Sequence, residues 1–383
     1  MARLTRTTPP PARLVGIVAA LALAVAALFS PAVARAEGTV DTWDGSVDTT
    51  WYNASSPQTE YTITTAEQLA GLAQLVDSKK DFAGVTITLA SDLDLSGHEW
   101  NPIGNGDGTP FRGTFDGRGH TISHLTLTPA NPEADQSGLA LFSVVQNGEI
   151  RNLVIGDASV DVRGADTFRQ SVLAVRADGS IISNCSTSGT LQSSTDFLQL
   201  VGGMVGLCTN STTITRCASF MDITTSSVSA SYGETVGGLV GQWEGATDTS
   251  LISNCLFAGS IMSSADYSSV GGILSAGRPT ALGGTVKSLP VVENCVVNPS
   301  SFEASGEFAG LAYVGLVYGT DGAPAVETCL WPAGDEHVAG SVDYDTLAIT
   351  YPADTSSYGS AVADFSDSTL IEKLNANSPD TWA

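Results

Sequence analysis

The sequence predicts an all-β chain wound into a right-handed parallel β-helix with an N-terminal capping α-helix, and three observations lead there. The first is a β-branched residue followed three positions later by Leu or Cys: Ile122/Leu125, Ile150/Leu153, Ile182/Cys185, Ile214/Cys217, Ile252/Cys255, Val292/Cys295 and Val326/Cys329. The second is a small-apolar segment alternating with it, clearest as Val201-Gly202-Gly203-Met204-Val205-Gly206, Val236-Gly237-Gly238-Leu239-Val240-Gly241 and Val270-Gly271-Gly272-Ile273-Leu274. The third is spacing: successive members of the first series lie 28, 32, 32, 38, 40 and 34 residues apart. Neither signal has helical periodicity, and short β-branched runs bounded by Gly, Ser, Thr, Asn and Asp read as strands between turns. A third short segment falls between the two signals in many units, as at Gly189-Thr190-Leu191, which predicts about three strands per unit. A chain that returns to one pattern at such intervals winds a solenoid. A propeller has a similar period, but its blades need four antiparallel strands and an aromatic signature that these units lack. Seven turns stacked at ~4.8 Å amount to a rod about 30 Å long.

In chain order, residues 1–36 read as a secretory signal. Arg3, Arg6 and Arg13 precede an uncharged run from Leu14 to Phe29, and Ala34-Arg35-Ala36 supplies the small residues of a cleavage site. The run is shorter than the ~20 residues that span a bilayer, so cleavage before Glu37 is expected. Residues 37–120 are expected to hold a cap and the first strands. Thr65-Ala66-Glu67-Gln68 fits a capping box, and Leu69, Leu72, Ala73 and Val76 follow at helical spacing, which predicts an amphipathic helix over 65–77 plugging the first coil. Val85, Ile87 and Leu89 then alternate as a strand. Residues 121–335 carry the repeat. Residues 336–383 form a C-terminal cap or extension, in which Ser368, Leu370, Ile371 and Leu374 predict a short covering helix. Covers are needed because the end coils of a β-helix expose unpaired strand.

Six Cys in an exported chain ordinarily suggest disulfides. Five of them, however, occupy a slot that earlier units fill with Leu125 and Leu153, which predicts an interior column of free, apolar thiols. Pairing between adjacent rungs is the alternative, since the rung spacing lies within the Cα range of a disulfide. Cys208 stands outside the column and either pairs with Cys217 or stays free. No Cys-x-x-Cys pair or Cys/His spacing suggests a metal site. Asn152, Asn184, Asn254 and Asn294, each just before a column residue, predict a ladder at a turn, because Asn tolerates left-handed backbone.

The 383 residues include 16 Lys plus Arg against 40 Asp plus Glu, a formal charge of −24 that disfavours nucleic-acid and anionic-membrane partners. Removal of the signal leaves 12 basic residues against 40 acidic ones, a formal −28. With 42% hydrophobic and only 15% charged residues, the composition is that of a folding chain. A polysaccharide-cleaving β-helix would need two or three carboxylates gathered from neighbouring coils. The best such set is Asp92, Asp94 and Asp116, with Arg112 and Arg118 nearby, and its plainer reading is outward strand positions and turn chemistry. Asn105-Gly106-Asp107-Gly108 has part of a calcium-loop pattern without the full ligand series and reads as a turn. No nucleophile triad, phosphate loop or dinucleotide fingerprint is present, and the units keep no flat Thr-x-Thr face of the kind an ice-binding solenoid needs. No catalytic, cofactor-binding or metal residue is therefore assigned, and no cofactor is expected. The expected function is an exported cell-surface or secreted binding, adhesion or spacer module. Its ligand is expected to be a host or matrix protein or a glycan, with no nucleic-acid partner and no membrane span after signal cleavage. A β-helical polysaccharide lyase or glycoside hydrolase is the alternative.

Gly237-Gly238-Leu239-Val240-Gly241, flanked by Ile-Ser-Asn-Cys, resembles the short GLUG motif of bacterial surface proteins. Thr65-Ala66-Glu67-Gln68-Leu69, Asp92-Leu93-Asp94-Leu95-Ser96-Gly97, Trp100-Asn101-Pro102-Ile103-Gly104 and Gly113-Thr114-Phe115-Asp116-Gly117-Arg118-Gly119-His120-Thr121-Ile122 resemble the opening block of such proteins. Similar blocks occur in the β-helical, non-catalytic region of IgA-specific metalloendopeptidases. The resemblance spans about residues 43–330 and implies a β-helix at the cell surface. It does not imply the protease activity, because the His-Glu-x-x-His motif is absent and the only His are His98, His120, His124 and His337.

Overall fold

The computed structural model describes residues 42–104, 106–129, 138–163, 169–195, 199–227, 234–278, 290–305, 309–318, 325–334, 337–342, 349–351, 354–365, 370 and 374–375. The signal segment 1–36, Asn105 and Ser368 lie outside the described residues. Within them the chain is an all-β parallel β-helix. Strands one coil apart pair in parallel and build sheets of nine, twelve, eight and five strands.

A middle coil shows how the sequence makes the turn. The chain runs through Ile181–Ser183, Ser186–Thr195, Gln199–Gly202 and Val205–Thr209, and Thr213–Thr215 then lies in register on Ile181–Ser183. Four strands thus fill this coil where three were expected, because the Gly-Gly segment is two strands meeting at a corner. The corner is too tight for side chains. A Cβ on Gly202 would stand 1.9 Å from the Val205 carbonyl oxygen, and one on Gly203 would stand 2.1 Å from that of Gly238 in the next coil.

Stacking in register lines up one buried side chain per coil: Tyr61, Ile87, Phe115, Ile150, Ile182, Ile214, Ile252, Val292 and Val326. Nine rungs at ~4.8 Å make this sheet about 40 Å long, more than the seven expected turns. The column also corrects the sequence register at one unit. Ile150 stacks on Phe115, whereas Ile122 stacks on Ile155 in another sheet. Leu125 accordingly lies under Ser159, whose amide it accepts at 2.8 Å, and it is not a member of the Cys column. The rung in that coil is the aromatic Phe115 with Arg118 three residues on, so a pattern of β-branched residue and Leu selected Ile122/Leu125 in its place.

The helix forms where its cap predicts, over Ala66–Asp77. The Thr65 hydroxyl accepts from the Gln68 amide at 3.3 Å, and Gln68 Oε1 accepts in return from the Thr64 amide at 2.8 Å, which satisfies otherwise orphaned donors. Leu69, Leu72, Ala73 and Val76 are buried. Residues upstream complete the cap: the Asp48 amide donates to the Glu67 carbonyl at 2.8 Å, the Trp51 indole donates to Gln68 O at 3.2 Å, and Trp43 is buried beside Trp100.

At the other end, Ile349–Thr350 pairs antiparallel with Ala339–Val342, terminating the parallel order of the eight-stranded sheet. Leu370 and Leu374 are helical and buried, in keeping with a covering helix. What they cover is the flank of the rod, the outward-facing residues Ala218, Leu256, Val296, Leu330 and Val362. The same outward column is polar or half-buried in earlier coils, at Thr121, Val154 and Ser186.

Candidate functional site

The acids singled out by the sequence are built into turns. Asp92 Oδ1 accepts the Thr121 amide of the next coil at 2.7 Å and lies 3.4 Å from His120 Nδ1. Asp94 Oδ1 accepts the Ser96 amide at 2.9 Å and lies 2.8 Å from His124 Nδ1. Asp116 ends a strand of the nine-stranded sheet. Its Oδ2 accepts Arg151 Nε at 3.0 Å, and its Oδ1 accepts both Asn152 Nδ2 and the Arg118 amide at 3.0 Å. Burial works to raise the Asp116 carboxyl, yet bonds from Asn152, the Arg118 amide and Arg151 together hold it below the ordinary carboxylate value. Asp94 is lowered in the same way, burial being outweighed by the Ser96 amide and by His124. A general acid needs the opposite shift. Asp94 and Asp116 also stand in different sheets, the one paired with Ser123 and the other with Thr88 and Arg151. Arg112 lies 3.7 Å from Asp81 and bonds Gln146, while Arg118 is a turn residue at φ 50°.

A cleft of about 170 Å³ opens beside this region, lined by Val76, Lys79, Asp81, Asp107, Thr109 and Arg112 among others. Asp107 sits in a single helical turn, Gly106–Gly108, and bonds the Arg176 guanidinium. Among the described residues no group of three or more His, Cys, Asp or Glu side chains is placed to hold a metal ion.

All six cysteines are free and buried. The amides of Ser186, Ala218, Leu256, Val296 and Leu330 donate to the carbonyls of Leu153, Cys185, Cys217, Cys255 and Cys295 at 2.8–2.9 Å, so these positions stack rung on rung. Each of the five column thiols donates to the carbonyl two residues back, at 3.1–3.5 Å. Burial pushes the thiols of Cys185, Cys255 and Cys295 up, which keeps them protonated and unreactive. Cys208 lies in another sheet, between Ala177 and Trp243 of adjacent coils, where burial likewise raises its thiol.

The turn ladder forms as well. Asn152, Asn184, Asn254 and Asn294 have φ between 51° and 55°, and Arg216 and Thr328 hold the same left-handed conformation in their coils. Asn184 Nδ2 donates to Asn152 Oδ1 at 2.8 Å, and Asn294 Nδ2 to Asn254 Oδ1 at 2.5 Å. Two features escaped sequence reasoning. Asp178 anchors a second corner, accepting from Gln146 Nε2 and Thr209 Oγ1 at 3.0 Å and from Asn210 Nδ2 at 2.5 Å. Glu234 lies wholly inside the rod. The clue to Asp178 is a polar residue followed by Asn or Gly at the same place in successive coils, Gln146-Asn147, Asp178-Gly179, Thr209-Asn210 and Glu244-Gly245.

Fold and site together define a parallel β-helix whose acids serve as turn anchors and whose interior column is apolar thiol. No family model matches the chain. Over 150 residues, 37% of the chain, it is 33% identical to halomucin of Haloquadratum walsbyi, and that match spans only 2% of halomucin's length. Its structure is similar to that of a Bacteroides ovatus protein provisionally named an immunoglobulin A1 protease. The TM-score is 0.54 and the identity 18%, over 84% of this chain and 88% of that one. At that identity the likeness is one of fold, and it agrees with the expected similarity to a β-helical region of IgA proteases. Among the described residues no helix is long and apolar enough to cross a membrane.

Proposed function

We propose that the chain is an exported surface module that works by presenting or spacing a β-helical binding face, without catalysing a reaction. The observation that carries this reading is the commitment of Asp92, Asp94 and Asp116 to turn amides, histidines and an arginine of the scaffold. The signal-like first 36 residues support export, and the likeness to halomucin is compatible with a surface protein. The outward side of the twelve-stranded sheet stacks Ser159, Thr190 and Asp222 in one column and Asp161, Gln192, Thr224, Met262 and Glu303 in the next. Such a face offers hydrogen bonds at every rung to a glycan or to a host or matrix protein. Among the described residues the exposed large hydrophobics are Val47, Ile181 and Met262, so ligand capture there relies on polar groups more than on aromatic stacking.

The test pairs glycan and matrix-protein arrays with a turnover panel of acidic and neutral polysaccharides. Binding without turnover is the expected result. Turnover abolished by Asp92→Ala or Asp116→Ala would replace this reading with a polysaccharide lyase or glycoside hydrolase. Export is checked on the secreted material, whose N-terminus should be Glu37.

A further inference from the structure

The interior of the rod is not apolar throughout. Where the long strands end and the five-stranded sheet begins, two inward columns turn polar for three rungs: Ser193, Thr225 and Ser263 in one, Gln199, Glu234 and Ser268 in the other. All six are buried. The first column is apolar or small again on either side, at Val162 and Ala304.

Ser193 Oγ donates to Gln199 Oε1 at 2.5 Å, and one coil later Thr225 Oγ1 makes the equivalent bond to Glu234 Oε1 at 2.6 Å. Glu234 Oε1 accepts from Ser263 Oγ as well. Its Oε2 is buried without a hydrogen-bond partner, and so is Ser268 Oγ on the next rung. The groups facing the carboxyl from the packed strands are the hydroxyls of Thr225 and Ser263, with Gln199 and Ser268 above and below. Among the described residues, the nearby ionisable side chains of those strands and of the turn before Ser268 are Asp222, Asp266 and Glu303, exposed on the outside, and the half-buried Tyr267, whose carbonyl accepts the Glu234 amide at 2.8 Å. A carboxylate here would be an unpaired ion in a closed, low-dielectric cell, and such a group retains its proton instead. Burial pushes the Glu234 carboxyl up, and the bonds from Ser263 and Thr225 pull it only part of the way back.

We propose that Glu234 is a proton-dependent latch at the centre of the rod, closing the corner between Ala218–Ser227, Ser260–Ser263 and Glu234–Gly237 as a neutral acid and loosening it on ionisation. The preceding coil shows what the position needs structurally: Gln199 accepts the equivalent hydroxyl with no ionisable group. Glutamate in that place adds titration. The native state keeps a proton that the unfolded chain, with a carboxyl near 4.5, has already lost. The latch is therefore fully closed on the acid side, and its contribution declines as pH rises above that value toward the raised native one.

The experiment compares the mature chain with Glu234→Gln by thermal unfolding between about pH 4 and 9, together with amide hydrogen exchange of Glu234–Gly237 and Ser268–Gly271. The difference between the two proteins cancels the titration of every other acid. The expected result is a gap that widens as pH rises, with the variant more stable at pH 8 by at least about 2 °C and exchange at the corner rising with pH in the wild type only. Parallel profiles, or a gap that widens toward acid, would overturn the proposal. Infrared spectroscopy of the wild type decides independently of the variant's folding. A carboxyl that stays protonated after the other carboxylates have ionised is expected, and its absence refutes the latch.

Discussion

Asn184, at φ 54° with its Nδ2 2.8 Å from Asn152 Oδ1, shows how one residue serves two needs at a corner. It adopts a backbone conformation that costs most residues roughly 1–2 kcal/mol, and it bonds the coil below. Arg216 holds the same conformation without that advantage and interrupts the ladder between Asn184 and Asn254. Arg216→Asn is expected to stabilise the protein by up to about 1 kcal/mol and Asn184→Ala to destabilise it by about as much, in denaturant titrations. A destabilising Arg216→Asn together with a neutral or stabilising Asn184→Ala would remove the ladder as a source of stability. Asp116 titrates in the acid range. Its native carboxyl is held below 3.8, so its contribution is complete above that value and is lost as pH falls through the lower native one. The acid-side loss of stability should be shallower in Asp116→Asn than in the wild type. The Asn positions were legible because they recur at a fixed offset before a column residue. Glu234 was not, because its inward direction depends on strand register and no single polar residue in a Ser/Thr-rich run reports that.

The strands owe their order to inward residues that repeat in register, and the covers owe theirs to what lies beneath. The N-terminal helix was legible from its capping box and its 3.6-residue period. The segments at Trp43 and Trp51 that complete it were missed, because two isolated Trp carry no periodicity. The C-terminal pair Leu370 and Leu374 was legible as helical, but not its destination. Placed over Ala218, Leu256, Val296 and Leu330, it converts an outward apolar strip into buried surface. The double variant Leu370→Ala, Leu374→Ala should lose about 2–4 kcal/mol and bind a hydrophobic dye in the native state. A variant with unchanged dye binding would mean that the strip has another cover.

For the molecule as a whole, the free thiol column makes a prediction that ordinary expectations for exported proteins oppose. Titration under denaturing, non-reducing conditions should find six thiols per chain, matching the six free cysteines of the structure. A value near zero would mean paired rungs. The sequence by itself determined the solenoid, its period, the apolar nature of the cysteine slot and the asparagine turns. Each of these repeats, and a periodic signal survives insertions in any one coil. Only the tertiary structure decided that Ile150 stacks on Phe115 and not Ile122, that Gly-Gly is a corner between two sheets, and that Asp92, Asp94 and Asp116 bond turns in preference to gathering as one site. The reason is physical: coil lengths vary, so which residues of neighbouring coils meet is fixed by backbone pairing across 24–41 residues, and it is that pairing which turns a carboxylate into an anchor or buries it as a neutral acid.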